Sequence, residues 1–175
     1  MAETKSQKLS AACSVGVVMG SDSDLPVMQR CLETLESFGI GYEVRIISAH
    51  RTPQIAHEYA TTAAARGLKV LIAAAGMSAA LGGVLAAGTT LPVIGVPMAS
   101  GPLAGVDAAL STMQMPPGVP VACMAIDQAG ATNAGIFAAQ ILAVADKAIA
   151  ARLVEFKKDQ ARKVVEKDQA LRSKT

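Results

Sequence analysis

His50 and Arg51 stand side by side in Ser48-Ala49-His50-Arg51-Thr52-Pro53, and no other pair in the chain is better suited to chemistry. An imidazole titrates near neutral pH and can carry a proton in either direction. A guanidinium can grip a phosphate or carboxylate through paired hydrogen bonds. A second polar cluster, Gly20-Ser21-Asp22-Ser23-Asp24, ends an apolar run and precedes a helical pattern. Backbone N–H groups at such a helix start are unpaired and lie at the positive end of the helix dipole, which favours a phosphate. Ser21 and Ser23 add hydroxyl donors. A carboxylate repels phosphate, so Asp22 or Asp24 should point elsewhere, and a ribose diol is the natural partner for one of them. The same pentapeptide also reads as a plain Ser/Asp helix cap, and a lone loop histidine is commonly a surface residue. His57, inside a predicted helix with polar neighbours, reads as part of a solvated face.

Other chemistries find little support. Two histidines and three scattered cysteines, Cys13, Cys31 and Cys123, contain no CxxC pair and no Cys/His cluster, so no metal site is expected. An odd, sparse cysteine count suits reduced thiols in a cytoplasm. There is no Walker lysine and no GxGxxG after a strand, so ATP or NAD would be a forced reading, and no Ser-His-Asp arrangement is evident. Met113, Met115 and Met124 read as core or interface filler. The formal charge of +2 gives no basic stripe for nucleic acid.

The elements that must position these residues follow from hydrophobic period. Val15–Met19 is a β-branched run and predicts a buried strand. Leu25, Met28, Leu32, Leu35 and Phe38 recur at helical spacing, with Pro26 in the first turn and Gly39 as a stop. Tyr42–Ile47 predicts a strand. Thr52-Pro53 predicts an N-cap and first helical position, with the helix ending near Arg66 before Gly67. Val70–Ala74, Val93–Val96 and Val121–Ile126 read as further strands. Ser78–Ala87, Val106–Met113 and Thr132–Ala148 read as helices. No charge lies between Lys69 and Asp107, but Pro92, Pro97 and Pro102 with several glycines break this stretch into pieces too short to cross a membrane. Strands alternating with helices predict an α/β domain: a parallel sheet with helices on both faces. Ligands bind outside the carboxyl ends of such strands. The loops 20–24, 48–53 and 75–81 meet there.

Three segments are expected: a polar N-terminal stretch over 1–13, an α/β catalytic domain over 14–149, and a charged C-terminal helix or tail over 150–175. The tail's only large apolar residues are Leu153, Phe156, Val164, Val165 and Leu171. It should pack loosely or dock on a neighbour. Only 17% of residues are charged, against roughly a quarter in an average domain, while 51% are hydrophobic and 3% aromatic. Little is left to cover a monomer's surface, which points to a homo-oligomer. An Ala-rich monomer is the plainer alternative.

Several motifs then agree in order and spacing. They are Val18-Met19-Gly20-Ser21-Asp22-Ser23-Asp24, Ser48-Ala49-His50-Arg51-Thr52-Pro53, Gly95-Val96-Pro97, and Met113-Gln114-Met115-Pro116-Pro117-Gly118-Val119-Pro120. Asn133-Ala134 and Ala138-Ala139-Gln140-Ile141-Leu142 follow. Over roughly 14–157 the chain resembles the catalytic subunit of phosphoribosylaminoimidazole carboxylase, the family of N5-carboxyaminoimidazole ribonucleotide mutases. The resemblance implies a single-domain, three-layer α/β/α, flavodoxin-like subunit with a C-terminal helical extension. It implies an octamer with sites at subunit contacts, and no metal, biotin or nucleoside triphosphate. The implied reaction moves a carboxyl group from the exocyclic amine of an aminoimidazole ribonucleotide to a ring carbon. By resemblance, Ser23, Ser48 and Arg51 hold the phosphate, Ser21 and Asp24 hold the ribose and nearby groups, and His50 carries the proton. Gly20, Ala49, Gly76, Ser78, Ala80 and Leu81 complete the implied binding set. Carbon dioxide would leave the carbamate, stay in a small dry pocket lined by residues such as Ala74–Leu81, and be attacked by the ring carbon. The third loop, Gly76-Met77-Ser78-Ala79-Ala80-Leu81-Gly82-Gly83, departs from the Gly-Gly-Ala-Ala-His-Leu-Pro-Gly usual in bacterial mutases, with Ala80 in place of the histidine. Its Ser78–Leu81 segment is similar to that of relatives that carboxylate with free carbon dioxide. Direct carboxylation is therefore the alternative, and a non-catalytic nucleotide-binding module a third reading.

Overall fold

Val15–Met19 forms β1 with all five residues buried, as β-branched runs do when both faces of a parallel sheet are covered. The computed structural model describes residues 13–173, so the polar segment before Cys13 lies outside the described residues. The remaining strands are β2 (Tyr42–Ile46), β3 (Val70–Gly76), β4 (Val93–Met98) and β5 (Ala122–Cys123). All pair in parallel, in the order β2-β1-β3-β4-β5. The connecting helices are α1 (Leu25–Ser37), α2 (Pro53–Thr62), α3 (Leu81–Gly88), α4 (Val106–Met113) and α5 (Asp127–Ala143), followed by α6 (Lys147–Arg172). This is the flavodoxin-like strand order. The chain steps outward from β1 to β2, then returns past β1 to β3. Right-handed crossovers in opposite directions put helices on both faces.

The pleat divides the core in two. On one face Val15, Val17 and Met19 meet Met28 and Leu35 of α1 and the alanines of α5. On the other, Val18, Leu71 and Ala73 meet Tyr59 of α2 and Leu81 and Leu85 of α3. Small residues set the helix spacing. A Cβ on Gly135 would lie 2.8 Å from Thr34 Cβ, so α5 sits directly on α1.

Element existence matches the sequence reading, while several boundaries move. The third strand runs on to Gly76, and α3 begins at Leu81 rather than Ser78. The intervening Met77 and Ala79 have φ of 56° and 37°, a left-handed backbone that cannot continue a helix. β5 is two residues long rather than six. The helix expected over Thr132–Ala148 starts earlier, at Asp127, and ends at Ala143. Asp146 then caps a new helix by accepting from the N–H groups of Ala148 (2.8 Å) and Ile149 (3.1 Å). α2 stops at Thr62 and reaches Gly67 through turns.

The tail is one long helix that is anchored at its start only. Phe156 packs edge-on to Phe38 with centroids 5.4 Å apart, and Arg152 donates to the Phe38 carbonyl. From Gln160 onward its described residues are exposed, joined by surface ion pairs such as Arg162–Asp159 at 2.8 Å. Among the described residues, no helix is long and apolar enough to cross a membrane.

Candidate active site

The carboxyl ends of β1 and β3 part where the winding direction reverses, and ligands lodge at such a point. A cavity of about 420 Å³ lies there. Small-molecule sites span about 300–1,000 Å³.

The first loop enters from β1. Gly20 donates its N–H to the Ala74 carbonyl (3.0 Å), which keeps the loop beside β3. Ser21 caps a 3-10 turn over Asp22–Asp24: its Oγ accepts from Ser23 N–H at 3.3 Å and from Ser23 Oγ at 2.9 Å. Gly20, Ser21, Ser23 and Asp24 all line the cavity. Asp22 does not; it is exposed and accepts from Ser21 Oγ at 3.2 Å. Asp24 is buried, and burial holds its carboxyl above the ordinary value. Neighbouring Ser21 and Ser23 groups pull it down, while the charges of Asp127 and Asp22 push it further up.

The second loop is a turn closed on itself. Thr52 Oγ1 donates to the Ser48 carbonyl (2.9 Å) and accepts from Ser48 N–H (3.1 Å). Thr52 precedes α2 as expected, but its side chain bonds backward to Ser48 instead of capping the helix. Arg51 joins the two loops: Nε donates to Ser48 Oγ (3.3 Å) and Nη2 donates to the Gly20 carbonyl (3.1 Å). A guanidinium has five N–H donors, so several remain for an anion. Ser48, Ala49, His50 and Arg51 all line the cavity. His50 is exposed at its rim, and among the described residues nothing hydrogen-bonds its ring. His57 lies on the exposed side of α2, away from this cavity.

Gly76, Ala80 and Leu81 of the third loop also line the cavity, and Ser78 does not. Ser78 is exposed, and its carbonyl accepts from Ser111 Oγ of α4. The left-handed residues on either side turn it outward. α3 has no side-chain cap, so its first backbone N–H groups stay available beside Leu81.

Ala75, Met77 and Ala79, within the 74–81 stretch expected to wall the pocket, line the cavity as well, and so does Ser100, which sequence reasoning missed. The first three are neighbours of expected residues. Ser100 comes from a fourth loop, after β4. Its signal was a Ser-Gly pair between Pro97 and Pro102 at a strand's carboxyl end. Among the described residues, no group of three His, Cys, Asp or Glu side chains could hold a metal ion.

The family model described as AIR carboxylase matches residues 14–163. The chain belongs to the AIR carboxylase family. A member from Thermotoga maritima, named N5-carboxyaminoimidazole ribonucleotide mutase, is 53% identical over 157 residues, covering 90% of this chain and 91% of that protein. A Pyrococcus abyssi protein of the same name is 53% identical over 148 residues, covering 85% and 84%. The crystal structure of Treponema denticola PurE superposes with a TM-score of 0.81 at 32% identity, covering 90% of this chain and 97% of that one. In this AIR carboxylase chain the family match spans every cavity-lining loop and stops within α6.

Proposed function

We propose that this protein is an isomerase of purine biosynthesis. It moves the carboxyl group of N5-carboxyaminoimidazole ribonucleotide from the exocyclic amine to the ring carbon, giving 4-carboxy-5-aminoimidazole ribonucleotide. One observation carries the reading: a single cavity gathers His50, Arg51, Ser48, Ser21, Ser23 and Asp24 in a chain whose relatives bear the mutase name along nearly their whole length.

The chemistry follows from the arrangement. Ser23, Ser48 and the spare donors of Arg51 take the phosphate, with N–H groups at the start of the Asp22–Asp24 turn. Ser21 and Asp24 take the ribose hydroxyls. The base then lies towards the third loop, whose Ala75, Ala80 and Leu81 form an apolar wall. Carbon dioxide released from the carbamate stays beside the ring there, at a high effective concentration. His50 gives a proton to the departing amine nitrogen. It then takes one from the ring carbon after the new carbon–carbon bond forms, so the imidazole ends as it began. No cofactor is required: the electron pair freed from the carbon–nitrogen bond takes the proton from His50, and the amine's own lone pair, conjugated with the ring, makes the ring carbon the nucleophile.

Assembly is part of the proposal. Val106, Leu110 and Met113 stand exposed along α4, with Leu103 in the turn just before it, and α4 is tied to the third loop through the Ser111–Ser78 bond. We assign this face to contacts between copies, in an octamer of about eight times the 17.8 kDa chain, working in the cytoplasm. Mass by light scattering tests the number of copies.

The deciding experiment supplies purified protein with the carbamate alone, or with aminoimidazole ribonucleotide and bicarbonate. Turnover of the carbamate at micromolar concentration is expected. Turnover only with bicarbonate would replace the isomerase by a carboxylase. His50→Asn should lower kcat by about a hundredfold or more while leaving substrate affinity and Tm unchanged. Full activity in that variant would remove His50 as the proton carrier.

A further inference from the structure

Asp127 opens α5 with φ at 56°, a left-handed conformation that a non-glycine residue keeps only when its surroundings enforce it. Its Oδ1 accepts the Ala99 N–H at 2.7 Å. Ala99 is the first residue past β4, one before Ser100. The far end of the same turn closes on the same spot. Gly105 has φ of 86°, and a Cβ there would stand 2.7 Å from Ile126 Cγ2 and 3.1 Å from Ala99 Cα. Both ends of the 99–105 turn therefore rest on the junction between β5 and α5. That junction has no slack: a Cβ on Gly130 would meet the Ala125 carbonyl oxygen at 1.7 Å.

Ser100 is what this turn delivers to the cavity. Its Oγ occupies the space a Cβ on Gly76 would need, at 1.7 Å from that position, and lines the cavity wall. Its backbone N–H is taken by the Met98 carbonyl (2.9 Å), but among the described residues its hydroxyl has no partner. A polar group left unpaired at a cavity wall is available to a ligand.

We infer that Asp127 is a positioning residue: through the Ala99 amide its carboxylate holds the 99–105 turn so that Ser100 presents its hydroxyl to the bound ribonucleotide above Gly76. The ligand's identity rests on the isomerase reading; the brace itself does not. The hydrogen bond is what matters in this scheme, not the charge, so asparagine should replace aspartate.

The test compares Asp127→Asn, Asp127→Gly and Ser100→Ala in the full chain. Glycine keeps the backbone unstrained and removes only the acceptor. Asp127→Gly should raise KM about tenfold with kcat within about twofold, the effect of one lost cavity hydrogen bond. Asp127→Asn should restore KM. Ser100→Ala should raise KM alike, and combining it with Asp127→Gly should add nothing more. Amide hydrogen exchange at Ala99 needs no turnover: it should speed up about tenfold or more in Asp127→Gly and stay at the native rate in Asp127→Asn. A native KM in Asp127→Gly, an Asn variant as weak as the Gly variant, additive losses, or unchanged Ala99 exchange would each overturn the inference. Ser100→Ala, which removes one oxygen at the cavity wall, tests the hydroxyl should Asp127→Gly fold poorly; a native KM there also overturns it. Wild-type protein that turned over neither substrate would strike the isomerase reading instead, with the exchange rates still judging the brace.

Discussion

Arg51 does more than present a charge. Its side chain spans from Ser48 on its own loop to Gly20 on another, so in the proposed function it builds the anion site as well as serving it. Lysine is a point donor and cannot make both bonds while facing a phosphate. Arg51→Lys should raise KM about tenfold, with kcat changing far less, in steady-state kinetics. Asp24 makes a different prediction. Its carboxyl is held above the ordinary 3.8 by burial, so the native state keeps its proton where the unfolded chain has lost it. Stability therefore falls as pH rises from 3.8 through the raised native value, and the deficit persists above it. Asp24→Asn should have a higher Tm than wild type at pH 7, an advantage that disappears near pH 3, where both states of the wild type are protonated. Thermal melts across this range check it. The same variant should bind substrate more weakly, the usual conflict between a stable site and a working one. Cys31, fully buried and pushed up to about 12, is a packing residue and not a nucleophile.

The elements owe their closeness to missing side chains. α5 carries Gly130 and Gly135 where a Cβ would strike the Ala125 carbonyl and Thr34. The neighbour at Gly130 is backbone, which cannot swing aside. Gly130→Ala should lower unfolding free energy by about 1–3 kcal/mol, the range for overpacking, measured by urea titration. It should also loosen the start of α5, on which the 99–105 turn rests. α6 behaves oppositely. Its exposed ion pairs, among them Lys158–Glu155 and Arg172–Asp168, are each worth little in water. Its stability comes from the Asp146 cap and from Ile149, Leu153 and Phe156 packed on the body.

At the scale of the molecule, the uncovered surface carries the information. Val44 and Ile46 stand open on the edge strand β2, as do Val106, Leu110 and Met113 along α4 and Leu103 in the turn before it. An apolar stripe of this kind on a chain with few charges is the surface the proposed assembly covers. Leu110 is half-exposed at the middle of that stripe. Leu110→Glu should lower the mass seen by light scattering without lowering far-UV helicity, because the side chain supports no core in the single subunit. Activity should fall with the mass, since the third loop is tied to α4 through Ser111 and Ser78.

Much of this was legible in the residues alone. Val15–Met19, the spacing of α1 and the Gly20–Asp24 and Ser48–Pro53 loops carry period and turn chemistry that are local properties, and they led to the fold class; together with the family resemblance they led to twelve expected site residues, eleven of which line one cavity. The exception, Ser78, shows the limit. Its outward turn depends on left-handed backbone at Met77 and Ala79, which no local propensity favours. Ser100 and Asp127 were hidden for a related reason. Ser100 reaches the cavity only because β4 lies beside β3 and Gly76 leaves room; Asp127 reaches Ala99 across 28 residues of chain. The break before α6 needed Asp146 to be read as a cap within an otherwise continuous helical pattern. Sequence determines what is periodic and near in the chain. Contacts between distant loops are decided by strand order, because only the assembled sheet sets which carboxyl ends share a crevice.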